Sequence, residues 1–244
     1  MIDFHTHILP FIDDGSKNIE ESISMLKELS ALGAERVLLS PHYYPDKERI
    51  ETFSARRSKS CEQLALALKK ESFSVPKLHV GAEVYLEPIL LNNEDLSPLT
   101  IDMGGKFMVT ELLYEPTVSA TTESILRQLI YSYDIVPIIA HIDRYPHLMK
   151  EKNLYSLLEM GCVAQINVSS MENYFKRKKL LKYFKKGYIG VIGSDIHRPN
   201  QIDVLKKSLS YIPKESLNYM SEISKGILKN TKKDSDDSNE IVVD

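Results

Sequence analysis

Met1-Ile2-Asp3-Phe4-His5-Thr6-His7 opens the chain with a short apolar run that gives way at once to two histidines. The same sequence grammar returns at intervals. Arg36–Ser40 ends in Pro41-His42, Leu78–Gly81 in Ala82-Glu83, and Val136-Pro137-Ile138-Ile139-Ala140 in His141. Ile189–Gly193 runs into Ser194-Asp195-Ile196-His197. Each run is short, rich in β-branched residues and followed by a longer segment of helical period, which is the signature of repeated βα units. Lys106–Leu112 and Val163–Val168 complete a set of seven predicted strands.

The segments between them read as helices. Asn18 to Leu32 has an N-cap at Asn18, a capping-box partner at Glu21 and a stop at Gly33. Ile19, Ile23, Leu26, Leu29 and Leu32 recur at steps of three or four along one face. Further helices are predicted over Glu48 to about Glu71, Thr121–Tyr133, Asn153–Met160 and Asn173–Lys186, with one or two more from Ile202 to about Leu228. Glu87–Gly105 is a longer irregular or partly helical connection. The pattern suits one α/β domain over residues 1–229, built as a parallel barrel or doubly wound sheet. Residues 230–244, with Lys-Lys-Asp-Ser-Asp-Asp-Ser-Asn-Glu, read as an acidic tail.

The chain has 244 residues, enough for one large core, and Lys+Arg 31 against Asp+Glu 34 leaves a formal charge of −3. That balance argues against a nucleic-acid binder working through a broad basic field. No basic-then-apolar leader is present, and no apolar run approaches the roughly 20 residues of a membrane helix. A cytoplasmic location is therefore the expectation. Cys61 and Cys162 are too few for a disulfide framework. Neither begins a phosphate-cradling cysteine loop, because the position six residues on is Ala67 or Val168 where an arginine is needed. Both lie in apolar segments and read as core. A nucleophile-elbow serine and a Walker loop are also absent.

What remains is imidazole and carboxylate. Five of the seven histidines (His5, His7, His42, His141, His197) and four acids (Asp14, Glu83, Glu111, Asp195) fall at or just beyond predicted strand ends. In a parallel barrel those ends converge on one rim. Singly, each motif is a capping aspartate or a solvated rim residue as readily as a ligand. Jointly they form a nitrogen–oxygen basket suited to Zn²⁺, Mn²⁺ or Fe²⁺, and nine donors imply two or three ions. His79 and His147 fall outside the pattern and read as rim or surface residues. The run Lys176-Arg177-Lys178-Lys179 with Lys182, Lys185 and Lys186 reads as a solvated helix face, or as a surface that steers an acidic tail or an anionic membrane.

The order His5-x-His7, Asp14, His42, Glu83, Glu111, His141, Asp195-x-His197 resembles the polymerase-and-histidinol-phosphatase (PHP) family. More narrowly, residues 1–17 with Glu20-Glu21-Ser22, and Ala140-His141-Ile142-Asp143-Arg144-Tyr145, are similar to the bacterial CpsB/YwqE-type tyrosine-protein phosphatases of capsular and exopolysaccharide synthesis. The resemblance covers roughly residues 1–215. It implies a distorted seven-stranded (β/α) TIM-like barrel with a metal site at its carboxyl rim, usually Mn²⁺-dependent, with Fe²⁺, Zn²⁺ or Mg²⁺ as alternatives. His5, His7, Glu83 and Asp195 would hold one ion, Glu83, Glu111 and His141 a second, and Asp14, His42 and His197 a third. Glu115 is a fallback for Glu111. Arg144 and Arg198 match positions where the family uses arginine on substrate phosphate, although Arg198 here follows His197 with no intervening loop. The implied substrate is the phosphorylated tail of a bacterial tyrosine kinase, hydrolysed by metal-activated water without a cysteine. The competing expectations are a phosphoesterase for a small metabolite such as histidinol phosphate, and a non-catalytic metal-containing module.

Overall fold

A computed structural model describes residues 1–229; the acidic stretch at 230–244 lies outside the described residues. Nine strands are present among them: β1 Ile2–Thr6, β2 Arg36–Leu39, β3 His42–Tyr43, β4 Lys77–Val80, β5 Glu83–Tyr85, β6 Phe107–Glu111, β7 Val136–Ile139, β8 Val163–Asn167 and β9 Val191–Gly193. Every pairing between them is parallel, in the orders β1-β2-β4 and β3-β5-β6-β7-β8-β9. All seven predicted strands are found. The two additional ones, β3 and β5, are short stretches that resume after Pro41 and after Gly81-Ala82 and pair with each other in the register already set by β2 and β4.

The sheet is curled. One apolar cluster joins Ile2 and Phe4 of β1, Leu38 of β2, Val109 of β6, Ile138 of β7 and Val191 of β9. Strands so far apart in the pairing order meet only if the sheet bends back on itself. The two ends of that order also touch: Asp195 N donates to His5 O at 2.8 Å and His7 N to Ile196 O at 3.0 Å.

Helices α1 Ile19–Ala31, α2 Ile50–Leu68, α3 Ala120–Ser132, α4 Glu151–Met160, α5 Tyr174–Lys185, α6 Ile202–Leu209 and α7 Lys214–Lys229 alternate with the strands. Asn18 caps α1 by accepting from Glu21 N at 2.8 Å, and Glu21 reaches back to Lys17 N at 2.9 Å. Asn173 caps α5 by accepting from Phe175 N and Lys176 N. The large core packs Met25, Leu26 and Leu29 of α1 with Phe53 and Leu64 of α2 and with strand residues such as Val37 and Leu39. The predicted irregular connection at 87–105 holds two short 3-10 turns, Pro88–Asn92 and Ser97–Leu99. Buried Arg57 fastens the second turn to the end of β4, its guanidinium donating to Pro98 O at 2.7 Å and Gly81 O at 2.8 Å.

Cys61 and Cys162 are buried, as their apolar context suggests, and burial pushes each thiol up to about 12. His79 and His147 correct the sequence reading: neither is a rim or surface residue, at 5% and 4% exposure. His79 Nδ1 lies 2.8 Å from Asp102 Oδ2, so a carboxylate 23 positions away compensates its burial.

Candidate metal centre

The nine sequence-predicted donors come together. His7, Asp14, His42 and His197 bring donor atoms within 4.8 Å of one another. So do His5, Glu83 and His141; His5, His7 and Asp195; and His42, Glu83 and Glu111. Glu83 and the histidines link these groups into one cluster. Glu115 belongs to none of them.

Local backbone features aim the donors. β1 extends to Thr6, so His5 is a strand residue and His7 the first beyond it. His42 and Glu83 begin β3 and β5 and are direct register partners, which sets their side chains next to each other. Glu111 ends β6. His141 and Asp195 follow β7 and β9 with left-handed φ values of 34° and 53°, conformations disfavoured for residues with a Cβ. Two glycines let the backbone close in. A Cβ on Gly15 would lie 2.1 Å from His7 O, and one on Gly193 would lie 2.5 Å from His5 Cβ. Only glycine fits at either place without moving a cluster histidine.

The contacts at the centre suit groups that share a cation. Glu83 Oε2 lies 2.9 Å from His42 Nδ1, 3.0 Å from His5 Nε2 and 3.3 Å from His7 Nε2, yet it is buried with no geometrically sound hydrogen bond among the described residues. His5 Nε2 and His7 Nε2 stand 3.0 Å apart. Two imidazole nitrogens at that distance can share one proton at most. It is also about the separation of two nitrogens that each sit ~2.1 Å from one ion. Carboxylate oxygens with imidazole nitrogens and no thiolate suit a divalent first-row ion. The residues therefore fit the metal their sequence order suggests.

Electrostatics follow from the same crowding. Burial works against charge on His7, but the surrounding carboxylates of Asp13, Asp195 and Glu83 outweigh it and hold its pKa well above the ordinary value. Burial likewise opposes ionisation of Glu83, and the imidazoles of His5, His141 and His42 around it overcome that cost, so Glu83 stays well below the carboxylate range. Glu111 goes the other way, raised by burial and then by neighbouring Glu83. His197 is lowered by burial and by His7.

The supporting shell is what the sequence reading missed. Asp13 Oδ2 lies 2.8 Å from His7 Nδ1 and accepts from His42 N at 3.0 Å, while Gly15 N donates to Asp13 Oδ1 at 2.8 Å. Gln165 Oε1 accepts from His141 N at 2.6 Å and lies 3.3 Å from His5 Nδ1. Asn167 Nδ2 donates to Asp195 Oδ2 at 2.6 Å. A signal existed for Asp13 in the Asp13-Asp14 pair; Gln165 and Asn167, alternate polar residues in an apolar strand, were legible only as an anomaly. Such partners orient ligands and fix imidazole tautomers.

The two arginines differ. Arg144 Nη2 pairs closely with Asp195 Oδ2, and about half of its side chain remains exposed. Arg198 Nη1 donates to Gly15 O and, at 2.8 Å, to His197 O, which holds its guanidinium beside the Asp14 side of the cluster.

A family model for capsular polysaccharide synthesis proteins, CpsB/CapC, matches residues 1–233. The chain is 28% identical over 208 residues to tyrosine-protein phosphatase CpsB of Streptococcus pneumoniae, covering 81% of this chain and 83% of that protein. It is 28% identical over 206 residues to tyrosine-protein phosphatase YwqE of Bacillus subtilis (strain 168), covering 81% and 77%. Its fold matches a chain from the crystal structures of YwqE from Bacillus subtilis and CpsB from Streptococcus pneumoniae, described as unique metal-dependent tyrosine phosphatases. That match has a TM-score of 0.80 at 22% identity and covers 95% of this chain and 96% of the other. A curled parallel sheet, a linked imidazole–carboxylate cluster and a family match over nearly the whole length lead to one assignment: the chain belongs to the CpsB/CapC family of capsular polysaccharide synthesis.

Proposed function

We propose that this protein is a metal-dependent protein-tyrosine phosphatase of capsular or exopolysaccharide synthesis. Its substrate is phosphotyrosine on the tail of a tyrosine autokinase, met at the cytoplasmic face of the membrane. The observation that carries the reading is Glu83 Oε2, buried within 3.3 Å of nitrogens of His5, His7 and His42 yet with no geometrically sound hydrogen bond among the described residues. The names of the relatives point to the same activity.

In this reading His5, His7, Glu83 and Asp195 hold one ion, Glu83, Glu111 and His141 a second, and Asp14, His42 and His197 a third. Mn²⁺ is the first choice because the family resemblance implies it, with Fe²⁺, Zn²⁺ and Mg²⁺ as competitors for the same imidazole and carboxylate donors. We read β3 and β5 as continuations of β2 and β4, which makes residues 1–229 a single distorted seven-stranded barrel with the cluster on its carboxyl rim.

Divalent ions bound there supply Lewis acidity, lowering the pKa of water and drawing charge from phosphoryl oxygens. The chain's own residues do the rest. Glu83 and Asp195 keep their charge because both are held below the usual carboxylate range. Arg144, half exposed and anchored only through Asp195, can turn one edge of its guanidinium to an equatorial phosphate oxygen. Arg198 stands on the other flank, beside His197. The leaving phenolate has a pKa of about 10, so no strong general acid is required.

The test is release of inorganic phosphate from p-nitrophenyl phosphate and a phosphotyrosyl peptide, with Mn²⁺ and then with chelator, beside histidinol phosphate as a competing substrate. Turnover of the peptide that needs metal supports the reading. Absence of metal-dependent release from either aryl substrate, or a far higher kcat/KM for histidinol phosphate, rejects it.

A further inference from the structure

Tyr44 and Tyr85 differ from the structural tyrosines of this fold. Tyr43, Tyr133, Tyr145 and Tyr183 each donate a hydroxyl to a main-chain carbonyl, of Glu48, Asn93, Leu112 and Met149, at 2.8–3.2 Å. Such bonds are what a buried phenol needs. Tyr44 and Tyr85 have no hydroxyl partner among the described residues and are only half-buried. Their rings pack against each other with centroids 5.6 Å apart, and Tyr44 also lies 5.4 Å from the His42 ring. Lys47 Nζ stands 3.7 Å over the centre of the Tyr44 ring, a cation–π contact that steadies it.

Position ties the pair to the cluster. Tyr44 is two residues beyond His42, and Tyr85 two beyond Glu83, on strands in direct register. Tyr85 is in turn the register partner of Glu111. The His42 ring contact and the pairing of Tyr85 with Glu111 set both rings at the edge of the cluster.

Resting on the phosphatase reading above, we propose that Tyr44 and Tyr85 form an aryl-binding wall beside the cluster, against which the aromatic ring of the substrate packs while its phosphate faces the donors. The wall favours aryl over alkyl phosphate monoesters by contact with the ring. An alkyl ester such as phosphoserine presents no π-face to it. Aromatic pairs add favourable contact beyond their buried area, in offset or tilted geometry.

The experiment uses the metal-loaded protein and two kinds of measurement. Calorimetry compares phenylphosphonate with methylphosphonate, two unreactive ligands that share the phosphonate group. Kinetics compares a phosphotyrosyl peptide with inhibition by inorganic phosphate. In the double variant Tyr44→Leu/Tyr85→Leu, the preference for phenylphosphonate should fall about tenfold. KM for the peptide should rise by a similar factor, with kcat and the inhibition constant of phosphate nearly unchanged. Tyr44→Phe should behave as wild type, because the ring and not the hydroxyl makes the contact. Equal losses for phenyl- and methylphosphonate, an unchanged preference, or a Tyr44→Phe variant as impaired as Tyr44→Leu would each overturn the wall. If the wild type fails to hydrolyse phosphotyrosine at all, the phosphatase reading falls, while the phosphonate preference still decides whether the wall exists.

Discussion

The two sides of the cluster are built differently. On one, His5, His7, Glu83, His141 and Asp195 are buried, and Gln165, Asn167 and Asp13 hold their orientation. On the other, Asp14 has 72% of its side chain exposed, with His42 at 13% and His197 at 20%. Water is excluded from the first and admitted to the second. A buried charged group needs a permanent partner, so the inner side must be complete for the fold to tolerate it. The open side can gain or lose a ligand at little structural cost, and it is where a substrate can enter.

This contrast can be broken by substitution. Glu83→Gln removes a carboxylate that touches donors on both sides, and it should lower kcat/KM by about three orders of magnitude, the scale of several kcal/mol of lost charge stabilisation. Elemental analysis of the purified variant should show depleted metal; full metal content with near-native rate would refute the central place given to Glu83. Asn167→Ala leaves every proposed ligand in place but removes one of the two donors that hold Asp195 Oδ2, the other being Arg144. A loss of about 10–100-fold in metal affinity is expected, measured by competition with a chromophoric chelator. Asp14→Ala should cost less, lowering metal stoichiometry on the open side while the inner donors keep theirs. If Asp14→Ala empties the whole centre, the two sides are not independent.

Stability sharpens the comparison further. Gly193→Ala forces a methyl against His5 Cβ, and overpacking of this kind costs about 1–3 kcal/mol, readable as a lower Tm. The same change at Gly33, whose Cβ would meet nothing within 4 Å, strains only its positive φ and should cost less. The smallest effect belongs to the thiols. With both pushed up to about 12 by burial, Cys61 and Cys162 carry almost no thiolate near neutral pH. Native protein should react negligibly with a thiol reagent at pH 8 and give both equivalents after denaturation. Rapid reaction of either native thiol, accompanied by loss of phosphatase activity, would reopen a cysteine mechanism.

Much of this molecule was legible in the chain. Alternating β-branched runs and capped amphipathic segments yielded all seven predicted strands, because period and capping are local properties. The cluster donors were legible for a related reason: in parallel βα repeats the residue after each strand is carried to a common end, so spacing along the chain becomes proximity in space. Register was not legible. The interruptions at Pro41 and Gly81-Ala82 that set β3 apart from β2 and β5 from β4 lie opposite each other on two paired segments, and the chain alone does not say which segments pair. His79 and His147 were misplaced because a histidine's burial is set by its partner and packing, and Asp102 stands 23 residues from His79.

Sequence by itself therefore determined the βα order, the nine side chains that cluster, the apolar setting of the cysteines and the family. Tertiary structure alone decided what lies between those points. It paired His5 with Gln165 across 160 positions, joined Arg144 to Asp195, tied Arg198 to Gly15, and left the Tyr44 and Tyr85 hydroxyls without the carbonyls their neighbours found. The physical reason is the same throughout. Period and capping act within a few residues, whereas orientation of a buried polar group is fixed by whichever distant atom satisfies it.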